Sequence, residues 1–155
     1  MLLVEDVFKE LELRAEGKKI TLKFAKEYDI IKVKADKRKI TQVLMNLVGN
    51  SIDYGNKKGD TTVRFYLMND IVTIEVSDNG PGIDEIELPR LFERFYRVEK
   101  SRSKKQGGSG LGLAIVKHII EGHNSVITIH SEPNVGTRFK FKLPKGAHSN
   151  EATLI

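Results

Sequence analysis

Residues 62–76, Thr-Val-Arg-Phe-Tyr-Leu-Met-Asn-Asp-Ile-Val-Thr-Ile-Glu-Val, alternate apolar and polar side chains on both sides of Asn69-Asp70. A period of two sends successive side chains to opposite faces of a strand, and Asn-Asp accepts the dihedrals of a tight turn. The stretch is therefore predicted to be a hairpin of Thr62–Met68 with Ile71–Val76, its apolar positions 63, 65, 67, 72, 74 and 76 facing inward. Upstream the period changes. Ile40, Val43, Leu44, Leu47, Val48 and Ile52 recur at helical spacing behind Asp36, which can N-cap a long helix through Tyr54.

Working outward, residues 2–15 place Leu3, Val7 and Leu11, with Phe8 beside them, on one stripe of an amphipathic helix ended by Gly17. Ile20–Phe24 and Ile31–Ala35 alternate as strands. Downstream, the sequence predicts a short helix near Pro89–Tyr96, a helix from about Leu111 to Glu121, and strands Ser125–Ser131 and Thr137–Leu143 paired across Pro133–Gly136. Helices and antiparallel strand pairs mix without a βαβ alternation, which argues an α+β fold with helices on one face of a mixed sheet. One domain over residues 1–144 is expected, followed by a frayed tail at 145–155.

Composition bounds the function. The 155 residues are 39% hydrophobic and 30% charged, as in an ordinary soluble domain. The absence of Cys excludes disulfides and Cys-ligated zinc or iron–sulfur sites. No apolar run approaches the roughly 20 residues of a membrane span, and no signal peptide is read at the start. The net charge of +5 is locally dense at Arg97, Lys100, Arg102, Lys104 and Lys105. A polyanion, a small phosphorylated ligand and a solvated loop all fit that cluster. No nucleic-acid partner is expected, because the basic residues are not interleaved with exposed aromatics as a stacking platform needs.

Three stretches carry polar chemistry. Asn46 and Asn50 share a face of the long helix, where their amides either bond nearby backbone or offer oxygen to Mg²⁺, a hard cation content with one or two protein ligands. Asp78-Asn79-Gly80-Pro81-Gly82 puts a carboxylate at a strand end before two glycines, as either a plain turn or an acceptor for an exocyclic amine such as that of adenine. Gly107-Gly108-Ser109-Gly110-Leu111-Gly112-Leu113 opens a helix, whose free N–H groups and positive dipole end suit phosphate. No Gly-Lys-Ser/Thr closes that loop, and it does not follow a parallel strand, so neither the Walker A nor the dinucleotide pattern is met.

In order, Asn50, Asp78-x-Gly-x-Gly, Gly-x-Gly-Leu-Gly-Leu and Gly136-Thr137-x-Phe139 resemble the asparagine box and three glycine boxes of the histidine-kinase ATPase domain. Leu91-Phe92-Glu93-Arg94-Phe95-Tyr96-Arg97 is similar to that family's phenylalanine box, and the resemblance covers nearly all of residues 1–144. It implies a two-layer α/β sandwich (the Bergerat type) with ATP held between helices and a mobile lid. It also implies ATP and Mg²⁺ as cofactors, with Asn50 as metal ligand and Asn46 as a phosphate-side or metal-side amide. Asp78 would read the adenine amine, Gly80 and Gly82 would shape that pocket, and Tyr54 and Thr137 would line the nucleotide site. The backbone at Gly108, Gly110, Leu111, Gly112 and Leu113 would hold phosphates, and Arg97 would reach the γ-phosphate. Phe92, Phe95 and Tyr96 are expected to anchor the lid. Asp53 departs from the family, which often carries Lys or Arg there, so a phosphate contact is expected to be missing unless Lys57 or Lys58 replaces it.

Gyrases, mismatch-repair ATPases and heat-shock ATPase chaperones resemble this fold too, but place a Glu one helical turn before the metal Asn. Asn46 is a neutral amide that cannot take a proton from water. The resemblance thus implies a kinase that keeps its γ-phosphate for a histidine on a separate helical hairpin. None of His118, His123, His130 or His148 has the flanks of that acceptor, and His118 and His130 are expected to be structural. The implied partners are the phosphoacceptor hairpin of the same, dimeric sensor kinase and a response regulator receiver domain. The implied location is a cytoplasmic domain of a membrane-anchored parent, reached through missing N-terminal regions. An anti-sigma-factor serine kinase and a nucleotide-binding pseudokinase are the rival readings; the phenylalanine box and the long stretch from Gly82 to Gly107 favour the sensor kinase.

Overall fold

The computed structural model describes residues 3–25, 30–96 and 112–146, and the strand pairing of 152–153. In chain order the elements are α1 (Leu3–Gly17), β1 (Thr21–Ala25), β2 (Lys32–Val33), α2 (Lys37–Tyr54), β3 (Asp60–Met68), β4 (Ile71–Asp78), a 3-10 helix (Glu85–Arg90), α3 (Gly112–Gly122), β5 (Thr128–Glu132), β6 (Gly136–Pro144) and β7 (Ala152–Thr153). Five strands form one sheet in the order β1-β3-β4-β6-β5. β1 runs parallel to β3, and the other ladders of that sheet are antiparallel. The mixed α+β sheet expected from the sequence is present.

The hairpin at 62–76 folds as its alternation dictates, lengthened to Thr61↔Asp78 at one end and Met68↔Ile71 at the other. Asn69 sits at φ 56°, which Asn tolerates better than most residues. Val63, Phe65, Val72, Ile74 and Val76 are buried against the helices, together with Phe139, Phe141 and Leu143 of β6. Phe24 meets Phe65 edge to face at 5.5 Å between ring centroids, which closes the β1 side of this core. α2 lies across it with Ile40, Val43, Leu44, Leu47, Val48 and Ile52 buried, and Asp36 caps it by accepting from the Lys39 N–H at 3.1 Å.

His123 ties the end of α3 to the start of α2. The Asp36 N–H donates to its Nε2 at 3.1 Å, and its Nδ1 lies 2.8 Å from the Ile119 carbonyl. A backbone donor on one nitrogen and a carbonyl on the other specify the neutral tautomer with the proton on Nδ1. The sequence offered no sign of this clip.

Three expectations are corrected. The short helix at Pro89–Tyr96 is instead a 3-10 helix at Glu85–Arg90 followed by turns, with Glu87, Leu91, Glu93 and Tyr96 each donating to the carbonyl three residues back. Pro89 has no N–H to give an α-helix, and Phe95 at φ 64° leaves helical space altogether. The strand at 31–35 shortens to Lys32–Val33. The tail at 145–155 is not wholly frayed: β7 pairs antiparallel with β2, and the Gly146 N–H donates to the Lys32 carbonyl at 2.8 Å. A two-residue edge strand presents unpaired backbone groups, and the tail satisfies them.

The face of the sheet away from the helices turns Arg64, Tyr66, Arg138 and Lys142 to solvent. Glu75 sits among them on the central strand, only 1% exposed. It accepts from the Tyr66 hydroxyl at 2.8 Å, and Arg138 Nε stands 3.9 Å from its other oxygen.

Candidate functional site

α2 presents Asn46, Asn50 and Tyr54, spaced four residues apart, on one half-buried face. Gly112 opens α3 opposite them. A Cβ on Gly112 would lie 3.6 Å from Asn46 Oδ1, so the first turn of α3 abuts the amide and leaves space no side chain fills. No hydrogen-bond partner of either Asn amide is found among the described residues, so neither is committed to the backbone bond that was the alternative reading.

Asp78 ends β4, half-buried, with its cross-strand neighbours Thr61 on β3 and Thr137 on β6. The Gly80 N–H donates to Asp78 Oδ1 at 2.9 Å. Burial raises the Asp78 pKa above the ordinary carboxylate value, opposed by hydrogen bonds from the Gly80 N–H, the Ser51 hydroxyl and the Thr137 N–H. Such a carboxyl is desolvated yet still offers an acceptor, as a group reading a ligand amine must.

The glycines after Asp78 have an internal reason. Gly82 lies at φ 74°, and a Cβ there would collide with the Glu132 carbonyl. Asn134 N–H donates to the Pro81 carbonyl at 2.7 Å, so the β5–β6 turn is seated directly on the Asp78–Gly82 turn. Gly136 is confined in the same way, since a Cβ would strike the Asp78 carbonyl. Thr137, buried next to it, bonds Ser131 between hydroxyls at 2.8 Å, and Ser131 Oγ also accepts from the Ile83 N–H at 2.8 Å. Gly80 faces Tyr54 and Gly55, which sets this turn against the end of α2. Asp78, the α2 face and the start of α3 therefore border one region.

Arg97, Gly108, Gly110 and Leu111 lie outside the described residues; Gly112 and Leu113, both half-buried in the first turn of α3, lie within them. Phe92 packs against Phe139, the rings 6.4 Å apart between centroids, and Tyr96 is held by Glu87 at 3.1 Å and by Arg90 over its ring at 4.5 Å. Phe95 is 70% exposed.

Asp53 does not point at the site. Arg14 of α1 bonds its carboxylate, while Lys18 Nζ donates to the carbonyls of Asp53 and Gly55 at 2.8 Å each. Asp53 thus pins α1 to the C-terminal end of α2, whose last carbonyls the Lys18 ammonium satisfies. Two residues of this region were missed in the sequence. Ser51 is buried behind Asp78, and Asn79 Oδ1 accepts from the Asp60 N–H at 2.8 Å to fasten β3 beside the turn. Ser51 falls on the core period of α2, where only the hydroxyl among apolar neighbours marked it. A groove of about 430 Å³ lined by Lys23, Asp60, Arg64 and Asn79 also reaches Asp78 at the end of β4, but includes none of Asn46, Asn50 or Tyr54.

Comparison with known proteins places this geometry. Residues 35–147 match the family model described as histidine kinase-, DNA gyrase B-, and HSP90-like ATPase. The chain is 38% identical over 124 residues to the sensor-like histidine kinase SenX3 of Mycolicibacterium smegmatis, covering 77% of this chain and 32% of that protein. It thus spans about a third of that relative. The catalytic domain of histidine kinase ThkA superposes with a TM-score of 0.79 at 30% identity, over 92% of this chain and 90% of that one. ThkA has also been solved in complex with the response regulator protein TrrA (TM-score 0.75, 28% identity, 93% of this chain and 40% of that one). Full-length ShkA in complex with AMPPNP gives 0.80 at 26% identity, over 94% of this chain and 30% of that one. The chain belongs to the histidine kinase-, DNA gyrase B-, and HSP90-like ATPase family, and over nearly its whole length it is similar to a histidine kinase catalytic domain.

Proposed function

We propose that this domain binds Mg-ATP between α2, the end of β4 and the start of α3, and gives the γ-phosphate to a histidine on a separate phosphoacceptor hairpin of the same kinase. The observation that carries the reading is the convergence of a desolvated carboxyl, two uncommitted amides and a helix N-terminus on one region. Asp78 accepts from the adenine amine. Tyr54 and Thr137 line the nucleotide site beside it, with Gly80 and Gly82 fixing the turn between. The N–H groups at Gly112 and Leu113, with those of Gly108, Gly110 and Leu111, meet the phosphates, and Arg97 meets the γ-phosphate.

The donor set fits magnesium. Amide oxygens are hard ligands, and among the described residues no cluster of three or more His, Cys, Asp or Glu forms a metal cage. An ion held by Asn50, with Asn46 near it, and otherwise by phosphate and water suits that arrangement. Bound there, magnesium neutralises phosphate charge. Asn46 is no base, so the pocket withholds activation from water and keeps the phosphate for another acceptor. The ThkA–TrrA complex supports a response regulator as downstream partner, with the dimeric hairpin of the full-length kinase upstream. A cytoplasmic domain of a membrane-anchored sensor fits the relatives; among the described residues no helix is long and apolar enough to cross a membrane.

Titration of the chain with AMPPNP, with and without magnesium, tests the reading. Asp78→Ala is expected to lose most affinity while circular dichroism stays native, and removal of magnesium is expected to weaken the wild type. Unchanged binding by Asp78→Ala would remove the adenine assignment.

A further inference from the structure

Ladder register fixes what shares the open face of the sheet. Arg64, Glu75 and Lys140 stand side by side on β3, β4 and β6; Tyr66, Thr73 and Lys142 form the next row, and Met68, Ile71 and Pro144 the row after it. Arg138 lies on the other side of Lys140, so Arg138, Lys140 and Lys142 run along β6 on one face, roughly 6.8 Å apart at two strand residues per step. The helices pack against the opposite face. Charge on the open face is not balanced within the chain. Lys23 meets Asp60 at 3.1 Å at the β1 corner, and Glu132 ends β5 at the far corner. Between them the acid is Glu75, which is buried and already holds the Tyr66 hydroxyl, with Arg138 3.9 Å away. Among the described residues Arg64, Lys140 and Lys142 make no ion pair.

Like charges closer than the screening length of about 8–10 Å repel, so this row carries a cost that solubility alone does not explain; a soluble surface intersperses both signs. Nor is the face wholly polar. Tyr66, Met68 and Ile71 are exposed, Met68 to 76%, and they adjoin the Lys142 end of the row. Tyr66 is also held by its bond to Glu75, so covering its ring costs little further entropy. We infer that this face is a docking surface for an acidic amphipathic helix of a partner protein, laid along β6. The spacings match. Carboxylates at i and i+4 of a helix lie about 6 Å apart along its axis, against about 6.8 Å between successive cations of β6. Arg138 to Pro144 spans about 20 Å, the length of roughly 14 helical residues. Acids at one end of such a helix meet the cations, and apolar residues at the other meet Met68, Ile71 and Tyr66. A nucleic-acid strand fits less well, because Tyr66 is the one exposed aromatic on this face among the described residues.

The inference is independent of the nucleotide reading, and so is its test. The probe is a synthetic helical peptide of about 14 residues with Glu at i, i+4 and i+8 and Leu at its other end, titrated into the isotope-labelled chain. Amide shifts locate the contact and give the affinity. The Glu peptide is expected to move the outer rows of β3, β4 and β6, and a Gln version of it to move nothing. Lys140→Gln/Lys142→Gln keeps both stems and should bind the Glu peptide about tenfold more weakly, the loss of two exposed ion pairs. Lys9→Gln/Lys117→Gln removes the same charge from the helices and should change the affinity less than about twofold. Arg64→Gln, across Glu75 from Lys140, should show a smaller loss, and stands in if the β6 variant does not fold. Shifts on another face, equal binding of the Gln peptide, or equal losses from the β6 and helix variants would overturn the inference. So would tighter binding of this face to a single-stranded DNA oligonucleotide or to phosphatidylserine vesicles, which would assign it to a nucleic acid or a membrane instead.

Discussion

Tyr66→Phe isolates the hydrogen bond that makes a buried acid tolerable on the outer face of the sheet. The substitution keeps the ring and removes only the hydroxyl, which donates to Glu75 at 2.8 Å. Tyr66 is 42% exposed, so hardly any packing changes, whereas Glu75 at 1% exposure has little water to turn to. A hydrogen bond to a charged group contributes about 1.5–3 kcal/mol. Arg138 at 3.9 Å keeps part of the compensation, so the lower end, about 1.5–2 kcal/mol, is expected. For a chain of this length that corresponds to a Tm lower by roughly 3–8 °C, read by thermal melts at neutral pH. The pH dependence has a definite sign. The bond to Glu75 and then burial raise the Tyr66 pKa above its ordinary 10.0, so the stabilisation is complete below pH 10.0 and disappears as pH climbs through the raised value. The wild type should therefore lose its advantage over Tyr66→Phe in alkali. In a Glu75→Val background, where both partners are gone, Tyr66→Phe should cost less than about 0.5 kcal/mol. Equal costs in the two backgrounds would refute the reasoning.

Two further substitutions probe the site's frame. Gly82→Ala forces a side chain into φ 74° and against the Glu132 carbonyl, so stability should fall by at least about 2 kcal/mol and nucleotide binding should weaken with it; a native melting temperature would show that the β5–β6 turn yields freely. Asp53→Lys installs the basic residue common in the family but sets it against Arg14 and Lys18, so about 1 kcal/mol of stability should be lost without any gain in AMPPNP affinity. A tighter complex would mean that position 53 reaches the phosphates after all.

The parts of the fold legible in the sequence were those governed by a single strong period. The 62–76 hairpin alternates without a break, and α2 carries its apolar residues at helical spacing behind a capping Asp. Both were placed to within a few residues. Where local rules compete, the reading slipped. The segment after Ile83 has apolar residues at helical spacing but also Pro89, and a chain missing one donor settles into three-residue turns. Pairing of β7 with β2 was invisible because neither strand has more than two residues, too few for a pattern to register. Asp78 and the α2 amides were legible because polar groups at the border of an apolar run must be explained. The structural role of Asp53 was not legible for a different reason: its partner Arg14 lies 39 positions away on another helix, and nothing local records that pairing.

The frame around Asp78 also says how recognition and turnover can be kept apart. Its supports are backbone and short hydroxyls from four separate strands and helices and one turn: α2 through Ser51, β3 through Thr61, β6 through Thr137, β5 through Ser131 on Ile83, and the β5–β6 turn through Asn134 on Pro81. None of them carries a net charge, and none has a long side chain to rearrange. Such a cradle costs little entropy to hold and leaves one orientation for the carboxyl, whether or not a base is present. Under the proposed function the phosphates would meet the backbone N–H groups at the start of α3, at the other end of the site. The nucleotide would then be chosen by the cradle around Asp78, and a substitution near the start of α3 would be expected to change phosphate transfer more than choice of base.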